Sequence, residues 1–276
     1  MSMLPYSALM TVYRKVVPRH FAESVGCVLA QTLPTDNFVI VCDGPLTPEL
    51  DEIIEELECR NAGAVDVLRL SENVGTAVAT QRGLERCRYN LVMKLDADDL
   101  CIPERAEIQI AVFEEDPGLS ICGSYMAEFV EGSDEPSQVR TVPLEQDDIL
   151  VYSRRRNPFN NITIMYKRDD VLAAGGYGTL RRAQDYELYV RMLHRGYRAR
   201  NIETVLSSAR LDADNLARRA TLNNLKGFLI VRWTIFKNGY SSLPDFIIPC
   251  AGQLIYMLLP KRFRGHLYQR LLRKSS

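Results

Sequence analysis

Residues 90–99 read NLVMKLDADD: a short apolar run, Asn90–Leu95, ends directly in three carboxylates. An apolar run of this length next to polar residues predicts a buried β-strand. Throughout the first 125 residues, amphipathic stretches that predict helices alternate with such strands, a pattern typical of βαβ units that build a parallel sheet. The acids would then lie at the carboxyl edge of the sheet, where open α/β sheets bind their ligands.

The remaining predicted elements follow from the same pattern. We predict strands at Ala8–Tyr13, Asn37–Cys42, Val65–Leu70 and Asn90–Leu95, and helices at Pro18–Gln31, Pro48–Cys59, Gly75–Arg88 and Pro103–Glu115. Three of these helices begin at proline, which suits a first helical turn because no N–H is needed there. The later sequence predicts a strand at 119–130, helices at 168–174 and 184–195, and helical structure beyond 211. Residues 162–166 form a further apolar run. Residues 132–137 predict a loop within a polar stretch.

Composition and charge narrow the class of protein. The 276 residues are 46% hydrophobic and 25% charged, which excludes disordered, collagen-like and disulfide-stapled chains. The net charge of −1 hides an asymmetry, since residues 1–138 carry 10 basic and 24 acidic side chains and residues 139–276 carry 24 and 11. The stretch 205–276 has 12 basic and 3 acidic residues and could meet anionic lipid. No nucleic-acid motif accompanies this charge, so we expect no nucleic-acid partner.

The cysteines and the first residues indicate a compartment. Seven cysteines, an odd number with no C-x-x-C pair, predict buried thiols in a reducing environment. Residues 1–8 lack a basic region followed by an apolar stretch, so no signal peptide is predicted. We therefore expect a cytoplasmic protein.

Asp96, Asp98 and Asp99 are the first candidates for chemistry. Unpaired carboxylates this close would repel one another, and a bound divalent cation commonly neutralises this repulsion. Mg²⁺ or Mn²⁺ prefers oxygen ligands and keeps positions for phosphate oxygens, which suits a nucleoside diphosphate. The alternative is a solvated loop that caps the next helix.

Six short motifs, in order between residues 7 and 188, resemble family 2 nucleotide-sugar glycosyltransferases of the GT-A fold. They are Ser7–Tyr13 (SALMTVY), Cys42–Pro45 (CDGP), Glu72–Gly75 (ENVG), Leu95–Leu100 (LDADDL), Ala174–Tyr177 (AGGY) and Gln184–Leu188 (QDYEL). The similarity is greatest to bacterial capsular and exopolysaccharide enzymes of the amylovoran type. The resemblance implies an α/β fold, a Rossmann-like mixed sheet flanked by helices, with a C-terminal helical extension.

The resemblance also implies a nucleotide site and a metal site. The residues it places around the nucleotide are Thr11, Tyr13, Asp43, Asn73, Gly75, Arg82 and Asp96. Asp43 would pair with the uracil imide, Asp98 would contact Mn²⁺ or Mg²⁺ directly, and Asp96 would contact ribose or a metal-bound water. Three of these residues also have a purely structural interpretation. Asp43 would form a turn, Asn73 would cap a helix and Tyr13 would pack against other side chains. Cys42 stands where the family is often acidic.

A general base is needed to take the proton of an acceptor hydroxyl. Asp185 resembles the family's catalytic acid residue, with Gln184 in place of the preceding Glu, although a helix N-terminus also favours an aspartate that only caps. Asn160 and Asn161 resemble an acceptor-side segment that often reads Asn-His. The three histidines lie in no matching motif, so the base is predicted to be a carboxylate.

The C-terminal segment predicts a surface contact. Phe246–Leu259 is apolar but shorter than the roughly 20 residues that a spanning helix needs. Basic residues interleaved with apolar ones follow over 261–274, which suits a helix in the interface of an anionic membrane. The alternative is a helix pair packed on the catalytic domain with a solvated basic face. Arg154–Arg156 would face lipid headgroups, an acceptor pyrophosphate or only solvent.

These observations give an expected organisation and function. Residues 1–210 would form the GT-A catalytic domain, with a nucleotide-binding half at about 1–125 and an acceptor half at about 126–210. Residues 211–276 would form the basic membrane-associating extension. The expected enzyme is peripherally membrane-bound and inverting, moves a sugar from a UDP-sugar to a lipid-linked oligosaccharide, and serves bacterial surface-polysaccharide assembly. The alternatives are a nucleotidyltransferase, whose Gly-rich basic loop is missing after Tyr13, and a non-catalytic binding module.

Overall fold

A nine-stranded sheet lies at the centre of the described residues, which in this computed structural model are 3–130, 138–180, 183–211 and 222–258. The strands are β1 Tyr6–Val12, β2 Phe38–Cys42, β3 Val65–Arg69, β4 Leu91–Lys94, β5 Leu100–Cys101, β6 Leu119–Val130, β7 Gln138–Arg140, β8 Met165–Lys167 and β9 Arg198–Leu211. The helices are α1 Pro18–Leu29, α2 Pro48–Arg60, α3 Thr76–Arg86, α4 Arg105–Glu115, α5 Gln146–Ser153, α6 Arg168–Ala173, α7 Gln184–His194, α8 Leu222–Lys237 and α9 Leu243–Leu258.

The sheet is parallel in its first half and mixed in its second. Its order is β3-β2-β1-β4-β8-β6-β9-β5, with β7 paired to β6. Strands β3, β2, β1 and β4 are parallel, whereas β8 runs antiparallel to both β4 and β6. The predicted βαβ units are therefore confirmed, and the carboxyl ends of β1, β2 and β4 lie at one edge of the sheet.

Both faces of the parallel strands are covered by helices, as their continuous apolar sequences require. Along β1, Ala8 and Met10 pack on the side of α1, α2 and α4, while Leu9 packs on the side of α3 and α7. Helix α3 comes close to the sheet at Gly83, where an added Cβ would lie 2.5 Å from Leu9 Cδ1 and 2.6 Å from Val41 Cγ2. This close packing fixes the start of α3 above the carboxyl edge.

Four elements were not predicted from the sequence: β5, β7, α5 and the 14-residue strand β9. Strand β9 reads RARNIETVLSSARL, too polar to predict a strand, and it forms because it pairs along β6. Register shifts in that pairing, between Ser124 and Met126, break the simple alternation of side chains. The predicted loop at 132–137 lies outside the described residues.

The segment 222–258 forms two helices, in agreement with the predicted helical structure; α8 packs against α7, and α9 packs against α8. Val231 and Ile235 of α8 contact Tyr186 and Val190 of α7. Arg232 is fully buried and donates to the Tyr186 hydroxyl and the Arg154 carbonyl, both at 2.6 Å, and to the carbonyl of Asp245. The predicted basic run at 261–274 lies outside the described residues.

The described residues show the lengths of the helices and the state of the cysteines. No described helix is both long and apolar enough to cross a membrane. All seven cysteines are free thiols, and five are buried, whereas Cys27 is half-buried and Cys59 is exposed. The prediction of buried thiols is therefore confirmed for five of them.

Candidate active site

The three acids form a turn directly after the central strand β4. The backbone N–H of Asp99 donates to the Asp96 carbonyl at 3.3 Å. Asp99 is buried, Asp96 is half-buried and Asp98 is exposed. The turn therefore presents one accessible carboxylate, that of Asp98, at the carboxyl edge of the sheet.

Lys94, the last residue of β4, holds Asp96 in place. Its side chain is 4% exposed, and its Nζ lies 2.5 Å from Asp96 Oδ1. The second Asp96 oxygen accepts a hydrogen bond from Asn161 Nδ2 at 3.4 Å. Both oxygens of Asp96 are thus engaged by the protein, whereas Asp98 has no salt-bridge partner among the described residues.

The acids influence one another electrostatically. Burial, together with the charges of Asp98 and Asp96, raises the pKa of Asp99 well above its usual value. The surrounding protein and the Asp96 charge also raise the pKa of Asp98, although this side chain is exposed. Added positive charge would therefore stabilise the ionised forms of these carboxylates.

The donor set at this turn fits a hard divalent cation. Mg²⁺ and Mn²⁺ prefer oxygen ligands, and Mg²⁺ is commonly held by one or two carboxylates together with substrate phosphates. Asp98 supplies one accessible carboxylate of this kind. The described residues contain no group of three or more His, Cys, Asp or Glu side chains arranged to hold a metal on their own. One accessible carboxylate is a ligand that such a cation can use together with phosphate oxygens.

Arg210 of β9 closes the other side of the acid turn, and the sequence did not indicate it. Its backbone N–H donates to Asp99 Oδ1 at 3.0 Å, and its Nε donates to the Asp98 carbonyl at 3.2 Å. A terminal nitrogen pairs with Glu23 of α1 at 2.6 Å, and the guanidinium carbon lies 4.9 Å from the centre of the Phe129 ring. Arg210 thereby ties the turn to α1 and β6.

Asp43 follows β2 and binds the turn that precedes α3. Its carboxylate accepts hydrogen bonds from Asn73 Nδ2 at 3.0 Å, the Val74 N–H at 2.7 Å and the Gly75 N–H at 3.1 Å. The structure thus brings together Asp43, Asn73 and Gly75, as the resemblance implied. It also shows that Asp43 holds the turn that leads into α3, so any bond to a nucleotide base would add to these contacts.

The other residues predicted near the nucleotide lie at the end of β1 and on α3. Thr11 is half-buried near the end of β1, where it pairs with Val41, and Tyr13 follows as a partly exposed side chain. Arg82 is exposed on α3. Its neighbour Gln81 accepts a hydrogen bond from the Tyr177 N–H at 2.8 Å, which joins α3 to the Gly-rich turn before α7.

Gly44 allows the Asp43 contacts, and replacing it tests them. Its φ is +86°, and an added Cβ would lie 2.7 Å from the Asn73 nitrogen and 2.9 Å from the Glu72 carbonyl carbon. We expect Gly44→Ala to lower the free energy of unfolding by about 1–3 kcal/mol, measured by urea denaturation. Gly26→Ala is the matched control, because nothing lies within 4 Å of its added Cβ and it sits inside α1. Equal midpoints for wild type and Gly44→Ala would show that the close approach is not required.

Asp185 lies in the first turn of α7, and the charge of Asp96 contributes to its electrostatic environment. Its Oδ2 accepts a hydrogen bond from Asn157 Nδ2 at 3.1 Å. Burial raises the pKa of Asp185 and the charge of Asp96 adds to the rise, whereas the Tyr186 N–H and the Lys94 charge oppose it. Tyr189, one turn further along α7, donates to Asn161, which in turn donates to Asp96, so the start of α7 lies beside the acid turn.

The residue before α7 has an unusual backbone. Ala183 has a φ of 50°, in the left-handed region, and it is the one non-glycine residue with positive φ among the described residues. Such conformations cost energy and are often found at functional sites. Here the conformation sets the direction in which α7 begins, and so the direction from which Asp185 enters the site.

Asn160 and Asn161, both expected on the acceptor side, lie in different environments. Asn160 is 1% exposed, and its side chain donates to the carbonyls of Ser124 at 2.9 Å and Arg140 at 3.2 Å. It joins β6 to β7 through these two hydrogen bonds. Asn161 instead bonds Asp96 and accepts from the Tyr189 hydroxyl at 3.0 Å, so it lies in the site.

With this geometry established, comparison with known proteins decides the family. A model of the family described as "Glycosyl transferase family 2" matches residues 7–188. The chain belongs to glycosyl transferase family 2. It is therefore a glycosyltransferase rather than a nucleotidyltransferase or a non-catalytic module, and the family expected from the six motifs is confirmed.

Two relatives in this family extend over most of the chain. A protein of Escherichia coli named UDP-Gal:alpha-D-GlcNAc-diphosphoundecaprenol beta-1,3-galactosyltransferase is 28% identical over 98% of this chain and 97% of its own length. The amylovoran biosynthesis glycosyltransferase AmsE of Erwinia amylovora is 32% identical over 80% of this chain and 82% of its own. The expected similarity to polysaccharide enzymes of the amylovoran type is confirmed.

Solved glycosyltransferase structures share the fold. Staphylococcus aureus TarS 1-349 in complex with UDP-GlcNAc matches 97% of this family 2 chain and 73% of its own, with a TM-score of 0.65 at 16% identity. The Pyrobaculum calidifontis mannosyltransferase PcManGT, in complex with GDP-Man and Mn²⁺, matches 100% of the chain and 77% of its own, also with a TM-score of 0.65, at 17% identity. The GT-A fold is therefore confirmed.

Proposed function

We propose that this glycosyltransferase moves a sugar from a UDP-sugar to a lipid-linked oligosaccharide during the assembly of a bacterial surface polysaccharide. It would use Mn²⁺ or Mg²⁺, invert the anomeric carbon and work at the cytoplasmic face of the membrane as a peripheral protein. The relatives support the donor and acceptor classes, since one is named for UDP-Gal and a diphosphoundecaprenol-linked acceptor and another for amylovoran biosynthesis.

The observation that carries the proposal is the joint position of Asp185 and the acid turn. Transfer to a hydroxyl needs a base near the acceptor and stabilisation of the charge that develops on the leaving diphosphate. Asn161 donates to Asp96 and accepts from Tyr189, which lies one turn after Asp185 on α7, and these contacts support one site for the base and the donor turn. This arrangement suits direct transfer between two bound substrates.

In this proposal each side chain has a limited task. Asp98 would hold the divalent cation, which when bound would neutralise charge on the departing diphosphate. Lys94 and Asn161 hold Asp96 towards the nucleotide, while Asp43 holds the 73–75 turn that faces it. Asp185 accepts the proton from the acceptor hydroxyl at its carboxylate, and its raised pKa makes it a stronger base than an exposed aspartate. A single base is enough for a single displacement, which inverts the anomeric carbon.

A nucleotide panel tests the donor assignment. Thermal unfolding would be followed with UDP, GDP, CDP, dTDP and ADP, each with and without Mn²⁺. A ligand present at about 100 times its Kd stabilises the native state by about 2.7 kcal/mol. In a chain of this size each kcal/mol raises the Tm by about 2–4 °C. We expect UDP with Mn²⁺ to give the largest rise; an equal or larger rise with another nucleotide would contradict the UDP assignment.

A further inference from the structure

An apolar surface covers the exposed side of the helix pair α8 and α9, of which α8 packs on α7. Among the α8 side chains that the structure describes, from residue 225 onward, the exposed ones are Lys226, Ile230, Trp233 and Lys237, whose spacing of four, three and four residues places them on one face. On α9 the large exposed apolar side chains are Leu243, Ile247, Ile248, Leu254 and Ile255. We call these two sets together the outer face.

Aromatic contacts join the two helices into one continuous surface. The ring of Trp233 lies 5.9 Å from that of Phe246, and the rings of Phe236 and Phe246 stack at 5.2 Å between centroids. Trp233 is 53% exposed and Ile247 is 50% exposed. Contiguous exposed apolar patches of this kind mark interaction sites, since folding alone does not require them.

We infer that the outer face is a docking surface that lays α8 and α9 flat on a lipid bilayer with anionic headgroups. The inference rests on the proposed function, because it names the surface by which the enzyme would reach a lipid-linked acceptor. Exposed isoleucine and leucine side chains enter the acyl boundary, and tryptophan is favoured at the level of the headgroups.

The charges around the outer face complement an anionic membrane. Lys226 and Lys237 stand at the two ends of the α8 face, about 16 Å apart along the helix, where long side chains can reach headgroup phosphates. Asp245 is the one acidic residue in the sequence 222–258, and it is buried and paired with Arg155 at 2.6 Å. The sequence that follows, 259–276, has six basic residues and no acidic one.

The same charges disfavour a second copy of the chain as the occupant. A symmetric dimer through the outer face would bring both pairs of lysines and both basic C-terminal sequences together, and like charges across an interface are costly. A membrane with anionic lipids pairs with each of them instead.

Vesicle flotation of the full-length protein tests the inference. The probes are phosphatidylcholine vesicles with and without phosphatidylglycerol. We expect the wild type to bind the anionic vesicles more tightly, and Trp233→Glu/Ile247→Glu to reduce the apparent affinity at least tenfold, about the effect of losing one buried large side chain. Leu29→Glu/Val139→Glu is the matched control, since both residues are exposed and apolar outside the helix pair, and it should bind like the wild type. An uncharged variant of the same face, Ile248→Gln/Ile255→Gln, should also bind more weakly.

Several outcomes would overturn the inference. Equal flotation of the wild type and both outer-face variants would do so, as would binding that salt abolishes and that does not depend on Trp233. An absence of flotation together with dimers that Trp233→Glu/Ile247→Glu converts to monomers would identify a second copy as the occupant. The UDP and Mn²⁺ thermal shift is measured on every variant. If it fails in the wild type, the donor assignment is wrong and the flotation result still decides the surface.

Discussion

Asp185→Asn should bind UDP and Mn²⁺ like the wild type but transfer sugar about 10²–10⁴ times more slowly, the usual contribution of a general base. The amide keeps the shape of the side chain, and its oxygen can still accept the hydrogen bond from Asn157. The substitution therefore removes basicity with little change in packing. The measurement is kcat for sugar transfer, together with the UDP-induced thermal shift.

The pH dependence of transfer gives the same prediction a second readout. Burial and the Asp96 charge raise the pKa of Asp185 above its ordinary 3.8. Wild-type kcat should fall as the pH drops through this raised pKa, because protonation removes the base. The variant should lose this acid limb. Asp147→Asn, which removes an exposed acid from the first turn of α5, is the control and should keep both rate and profile. Substantial turnover by Asp185→Asn with the acid limb retained would show that another group is the base.

Asp98→Asn should lose the additional stabilisation that Mn²⁺ gives in the presence of UDP. Asp96 is already paired with Lys94, and Asp99 is buried and bonded to the Arg210 N–H, so Asp98 offers the accessible carboxylate of the turn. For ligands near 100 times Kd, the lost stabilisation would approach about 2.7 kcal/mol.

The comparison is made by thermal unfolding with UDP alone, Mn²⁺ alone and both together. Asp169→Asn, an exposed acid on α6, is the control for a general loss of negative charge. A wild-type response to UDP and Mn²⁺ in Asp98→Asn would show that the metal is held elsewhere. If Asp169→Asn also loses the stabilisation by UDP and Mn²⁺, the effect is not specific to the acid turn.

The parallel half of the fold could be predicted from the sequence because its signals are local. The apolar run before Asp96, and the prolines that begin α1 and α2, are enough to place strands and helices to within a few residues. Strand β9 could not be predicted, since its polar residues are stabilised by pairing with β6 rather than by their own pattern. Arg210 was missed with it.

Within the site, the sequence limited which roles could be assigned. Lys94 could have been recognised, because a lysine within an apolar strand two residues before an acid lies on the same side of the strand as that acid. Asn160 and Asn161 could not be separated, since adjacent residues point in different directions and only the tertiary contacts decide which is buried. The position of Asp185 near Asp96 likewise depends on long-range packing.

The buried guanidinium of Arg232 bears on the stability of α7 and of the first C-terminal helix. Its N–H groups donate to the hydroxyl of Tyr186, the residue after Asp185, and to the carbonyls of Arg154 and Asp245 in two separate segments. Removing one acceptor from such an arrangement leaves a buried N–H donor unsatisfied, which costs about 1–3 kcal/mol or more for a charged group. The first C-terminal helix is therefore joined to α7 by a buried polar contact as well as by apolar packing, and the stability of each depends on the other.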